Sequence, residues 1–128
     1  MIKRAKQFSL WVPNKPGGAG KFLTALGKTN LVAISVADSV DGCSVRLVAS
    51  NAAQAARLLS KAKICACTQD VLVVDMPNLP GALKKICAKL TRAKVNIDYM
   101  YGSAGNKANE SPVVLRVSSI PKAIKALK

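Results

Sequence analysis

A chain of 128 residues in which half are hydrophobic but only 4% aromatic builds an aliphatic core and has few rings on which nucleobases stack. Twenty Lys and Arg against six acids give a formal charge of +14, and the lack of any histidine removes the commonest general base. No apolar run approaches the ~20 residues of a membrane span, and the basic start Met1-Ile2-Lys3-Arg4-Ala5-Lys6 leads into no long apolar stretch with a cleavage site, so a cytoplasmic protein is expected.

Residues 6–13 alternate as a strand, and Pro16-Gly17 then opens an amphipathic helix to about Lys28, proline being suited to a first helical turn. Leu31 to Asp38 and Cys43 to Ala49 predict a hairpin around Asp41-Gly42. Ser50-Asn51 caps an alanine-rich helix to about Ser60, and Ile64 to Thr68 predicts a closing strand, completing a βαββαβ unit. The pattern then restarts, with a strand at 71–76, a helix at about 80–93, strands at 95–102 and 112–118, and a helix from Ser119-Ile120-Pro121 onward.

The restart is a repeat. Pro13-Asn14-Lys15-Pro16-Gly17 and Pro77-Asn78-Leu79-Pro80-Gly81 stand 64 residues apart, each behind an alternating strand (Phe8, Leu10, Val12; Leu72, Val74, Met76). Each also precedes the same i, i+3, i+4, i+7 stripe, Ala19, Phe22, Leu23 and Leu26 matching Leu83, Ile86, Cys87 and Leu90. The expected fold is α+β: two ferredoxin-like βαββαβ repeats, residues 1–69 and 70–128, with antiparallel sheets and helices on one face. Each repeat buries little core alone, so the copies are expected to pack together or with a second chain.

Two departures from repetition stand out. Arg46 aligns with Arg116 at a spacing of 70, which implies six extra residues in the second hairpin, assigned to Gly102-Ser103-Ala104-Gly105-Asn106-Lys107 as a flexible insertion. The second repeat also lacks its last strand, leaving a sheet edge that another chain is expected to cover.

Lys84, Lys85, Lys89 and Arg92 lie opposite the apolar stripe of their helix, as do Lys122, Lys125 and Lys128 on the last one, the pattern of solvated faces. Their sum predicts salt-sensitive, non-specific attraction to polyanions. The four cysteines, at 43, 65, 67 and 87, match neither a disulfide scaffold nor a zinc ribbon and are read as buried reduced thiols, with no cofactor or metal. Trp11 alternates with Leu10 and Val12 and should project from the face away from the helices, where it is read as an interface residue of a homodimer; Arg46 and Arg116, on the same kind of face, are read as making ion pairs across that interface.

A strand ending in Pro-Asn-x-Pro-Gly, an amphipathic helix and then Val95-Asn96-Ile97 opening the next strand, all within βαββαβ, resembles the ACT domain, the small regulatory module that binds amino acids. The resemblance covers nearly the whole chain as a tandem pair with no attached enzyme. In the first copy Leu31-Val32-Ala33 is read as standing where the Asn-Ile pair would be. The resemblance implies an amino acid or related metabolite as ligand, held where two modules meet, and a regulated metabolic enzyme as partner.

A free amino acid needs donors for its carboxylate and acceptors for its ammonium. Helix starts after glycine offer unpaired amides, which points to Gly17, Gly18, Gly81 and Ala82. Asn14 and Asn78 would bond the ligand or cap their helices, Asn96 and Ile97 would orient it from a facing strand, and Asp38 or Asp98 would take the ammonium.

Gly17-Gly18-Ala19-Gly20-Lys21 fails as a phosphate loop, since Lys15 and Phe22 replace the required glycine and hydroxyl residue. A basic ferredoxin-like nucleic-acid-binding module is the alternative reading, opposed by third strands (Cys43 to Val48, Val113 to Val117) without an aromatic. No paired carboxylates or serine–base arrangement suggests an enzyme.

Overall fold

The computed structural model describes residues 2–39, 41–103 and 108–128. They form six strands and four helices: β1 (Ile2–Val12), α1 (Gly18–Leu26), β2 (Leu31–Ser39), β3 (Gly42–Ala49), α2 (Ala52–Lys61), β4 (Cys67–Pro77), α3 (Ala82–Arg92), β5 (Ile97–Gly102), β6 (Glu110–Val117) and α4 (Ile120–Leu127). The chain divides into two compact units, a first of Lys6–Gln69 and a second of Asp70–Lys128 together with residues 2–5.

In the first unit β1 lies between β3 and residues 67–69 of β4, with β2 outermost beyond β3. Its antiparallel register pairs Phe8 with Leu47, Leu10 with Val45 and Val12 with Cys43. Phe8, Leu10, Val45 and Leu47 thereby share one face, where Phe22 and Leu26 of α1 and Ala55 and Leu59 of α2 close on them. The second unit repeats this. β4 pairs Leu72 with Leu115 and Val74 with Val113, covered by Ile86 and Leu90 of α3 and Ala123 and Leu127 of α4. Both helical stripes are narrower than predicted, because Leu23 and Leu83 remain 42% and 38% exposed while the i, i+4 pairs Phe22/Leu26 and Ile86/Leu90 are buried.

The fourth strand of the second unit is the main correction to the expected edge. No strand follows α4 among the described residues, and residues 2–5 of β1 lie along β4 in that place. Ile2 packs against the second core, and Arg4 Nη2 meets Asp70 Oδ2 at 2.5 Å. The predicted strand at 6–13 therefore begins four residues earlier, at Ile2. The predicted strands 64–68 and 71–76 are also one strand, Cys67–Pro77, since neither glycine nor proline interrupts Thr68-Gln69-Asp70.

The register resolves the repeat more finely than one spacing. β1 and β4 match at 64, but α3 has 11 residues where α1 has 9. Leu31↔Ala49 and Ile97↔Val117 then place β2 and β5 at a spacing of 66. Leu47 and Leu115, opposite Phe8 and Leu72, put β3 and β6 at 68. Arg46 thus corresponds to Val114 and Arg116 to Val48, not to each other, and the second hairpin is longer by two residues rather than six. Residues 104–107 of the expected insertion lie outside the described residues.

Local chemistry explains the helix ends. Asn51 accepts the Gln54 N–H at 3.0 Å, and Ser119 accepts that of Lys122 at 3.4 Å. At their C-termini α2 and α3 close with the same paired bonds, Lys63 N–H to Ser60 O with Ile64 N–H to Leu59 O, and Lys94 N–H to Thr91 O with Val95 N–H to Leu90 O. That closure holds Lys63 and Lys94 at φ 60° and 58°, a conformation glycine adopts without cost. Lys94→Gly is expected to raise stability by about 1 kcal/mol and Asn51→Ala to lower it by about 1 kcal/mol, both measured by urea unfolding.

Candidate functional site: a strand–turn–helix cleft built twice

Each unit passes from its first strand into its first helix through the same turn. Gly17 (φ 85°, ψ −8°) and Gly81 (φ 86°, ψ −6°) are the N-caps of α1 and α3, and neither helix has a side-chain cap. Asn14 and Asn78 therefore do not cap, leaving their exposed side chains at the turn surface. The Gly18 N–H bonds Lys15 O at 3.0 Å and the Ala82 N–H bonds Leu79 O at 3.2 Å, so the first helical amide closes the turn instead of facing a ligand. The next amides of the first turn have no intrahelical partner, and no acid stands in that turn of either helix. A Cβ on Gly18 would lie 2.1 Å from the Pro13 carbonyl oxygen, which fixes glycine there.

Beside each turn opens a cleft, ≈ 580 Å³ in the first unit and ≈ 340 Å³ in the second. Their linings correspond at the spacing of 64: Pro13 with Pro77, Gly18 with Ala82, Lys21 with Lys85, and Phe22 with Ile86. An apolar floor, a helix start and one lysine are thus common to both. Where Trp11 lines the first, the charged Asp75 lines the second. The first is also lined by Lys63, Cys65, Cys67, Ser9 and Gln69. Ser9 Oγ donates to Gln69 Oε1 at 2.7 Å, and the fully buried Gln7 donates from Nε2 to both Ser9 Oγ and Gln69 Oε1 at 3.2 Å, a polar network that the alternation did not reveal.

The other expected site residues are placed elsewhere. Asn96 begins the segment after α3, whose 11 residues separate it from Gly81 by about 16 Å of helix within the unit. Its N–H bonds Ser118 Oγ at 2.9 Å, its carbonyl accepts the Ser118 N–H at 2.9 Å, and its side-chain Nδ2 donates to Asp98 Oδ1 at 2.9 Å. Asn96 and Asp98 thus engage each other, and Ile97 next to them pairs with Val117. The first unit repeats the join with Asn30, whose carbonyl accepts the Ser50 N–H at 2.9 Å. Asn30-Leu31, not Val32-Ala33, is the counterpart of Asn96-Ile97. Asp38 pairs with Cys43 near the end of β2 and is exposed.

Trp11 is 53% exposed as expected, and its indole Nε1 lies 2.8 Å from where a Cβ on Gly42 would sit. Arg116 Nη1 donates to the Asp70 carbonyl at 2.8 Å, which ties it within its own unit, while Arg46 faces Ser9 and Ser35 across the ladders. The cysteines are all free but not buried: Cys65 and Cys67 are exposed, Cys43 and Cys87 half-buried. No helix among the described residues is long and apolar enough to cross a membrane.

Comparison with known families matches the ACT domain pair over residues 3–125. The chain belongs to that family. Among solved structures, this ACT domain pair is similar to protein BT0572 from Bacteroides thetaiotaomicron, at 34% identity and TM-score 0.87 over 98% of this chain and 88% of that one. It also shares its fold with the ligand-free regulatory subunit of aspartate kinase from Thermus thermophilus, at 16% identity and TM-score 0.69 over 98% and 93%. The aspartokinase alpha and beta subunits resemble it at 17% identity and TM-score 0.64 over 99% and 93%. No curated protein matches the chain.

Gly81→Ala meets open space but keeps φ 86°, and is expected to cost about 1–2 kcal/mol. Gly18→Ala should cost more, because its Cβ collides with backbone. A smaller loss for Gly18→Ala in denaturant unfolding contradicts the turn geometry.

Proposed function

We propose that this ACT domain pair is a non-catalytic sensor that binds a small amino acid or a related metabolite at the strand–turn–helix clefts and transmits occupancy to a partner enzyme. The observation that supports it is the twofold occurrence of one cleft combining an apolar floor with a lysine and a helix start free of acids. A carboxylate is attracted to that combination, since the partial positive charge of the helix start and the lysine ammonium act together. In the second unit Asp75 supplies the acceptor that an ammonium requires, whereas the first has Trp11 there, so the second cleft is the zwitterion site in this reading.

Signalling follows from differential affinity: a ligand that prefers one arrangement of modules shifts the population toward it. Trp11, more than half exposed, is the proposed contact with a second copy in a homodimer. The regulated partner is a metabolic enzyme, reached through a surface that the ligand alters.

Thermal unfolding of the purified chain against the twenty amino acids, at salt high enough to screen the +14 charge, tests the reading. One amino acid should raise the midpoint in proportion to the logarithm of its concentration. Lys85→Ala should weaken that ligand by about 10- to 100-fold, the worth of a charge-assisted hydrogen bond, and Lys21→Ala by less. A flat panel, or a shift indifferent to Lys85→Ala, counts against it.

A further inference from the structure

Cys65 and Cys67 are both exposed and both line the first-unit cleft. Cysteine is among the residues most often found inside proteins, so two exposed thiols lining one open cavity are not accounted for by packing. One residue, Ala66, separates them, and Cys67 opens β4. In an extended chain, residues two apart face the same way with Cα atoms about 6.6 Å apart. That lies near the upper end of the ~4.4–6.8 Å that a disulfide spans, so direct sulfur–sulfur closure is strained. An ion held between two sulfurs lengthens the bridge and removes the strain.

The donor set narrows the ion. Among the described residues no group of three or more His, Cys, Asp or Glu is gathered anywhere, so the pair has no third protein ligand of these types. Zinc in structural sites takes four ligands, and calcium and magnesium take oxygen. Thiolates alone select soft ions, copper(I) first among the biological ones. A monovalent ion on two thiolates leaves one negative charge, and Lys21 and Lys63 line the same cleft to balance it. Lys63 stands two residues before Cys65, at the left-handed exit of α2, at φ 60°. No cysteine lines the matching cleft of the second unit, so the feature belongs to the first alone.

We propose that Cys65-Ala66-Cys67 is a two-coordinate binding site for copper(I) on the wall of the first-unit cleft. Binding forms two sulfur–copper bonds and releases the two thiol protons to solvent, with no change of oxidation state. The assignment shares the first-unit cleft and Lys21 with the amino-acid reading, but its two ligands are the thiolates and it needs no amino acid bound.

The test is an anaerobic titration of copper(I) into the full chain in the presence of a chromophoric copper(I) chelator, after all four thiols have been shown reduced by a thiol-reactive dye. The wild-type chain should withdraw one copper per molecule from the chelator. Cys65→Ser and Cys67→Ser should each leave the copper with the chelator, while Cys43→Ser with Cys87→Ser should withdraw it as the wild type does. Both target residues are exposed, and an unchanged circular dichroism spectrum confirms that the variants fold. A wild-type chain with free thiols that leaves the copper behind overturns the proposal. So does loss confined to the Cys43/Cys87 variant, or displacement of the copper by equimolar zinc.

Discussion

From β1 into α1 and from β4 into α3 the chain turns within five residues, and in both turns a glycine near φ +85° supplies a left-handed backbone that other residues rarely adopt. The rest of the proposed site depends on that reversal. It sets α1 and α3 down on their sheets with Phe22 and Ile86 in the cores, and it opens the clefts next to their first turns. It also leaves Gly18 and Lys21 of α1, and Ala82 and Lys85 of α3, on the walls of those clefts. A lysine so near a helix N-terminus opposes the helix dipole and is locally unfavourable.

Sheet edges impose the second constraint. An unpaired β4 edge would leave a row of backbone donors and acceptors exposed, and residues 2–5 pair with it in the second unit. Side chains reinforce the arrangement. Arg4 meets Asp70 there, and in the first unit the Gln7–Ser9–Gln69 network joins β1 to the start of β4. The exposed Arg4–Asp70 pair contributes little by itself; the buried amide of Gln7, satisfied by two partners, specifies register more strongly.

Much of this was legible in the sequence because alternation and helical periodicity are strong, and because the turn had to be written twice in glycine and proline. The element order, the two repeats and the Gly17 and Gly81 turns follow from it. Asn30 escapes a spacing of 64 carried into β2, because two residues enter in α3 and two more in the hairpin; the Asn-Leu and Asn-Ile pairs 66 apart, with Ser50 and Ser118 68 apart, are the available signal. The cysteines were misjudged because their type favours burial, and alternation in Cys65-Ala66-Cys67 says which residues share a face but not whether that face is covered. The use of residues 2–5 by the second unit is a long-range pairing, which local pattern does not encode.

Backbone amide chemical-shift mapping tests most directly whether the ligand sits beside the glycine turns, as proposed. With isotopically labelled protein and the amino acid that stabilises it, the largest shifts should fall on residues 81–86 at the start of α3, with smaller ones on 17–22 at the start of α1. Shifts centred on Asn96 to Tyr99 or Asn30 to Ala33, with those turns unmoved, would contradict it and put binding at the strand starts.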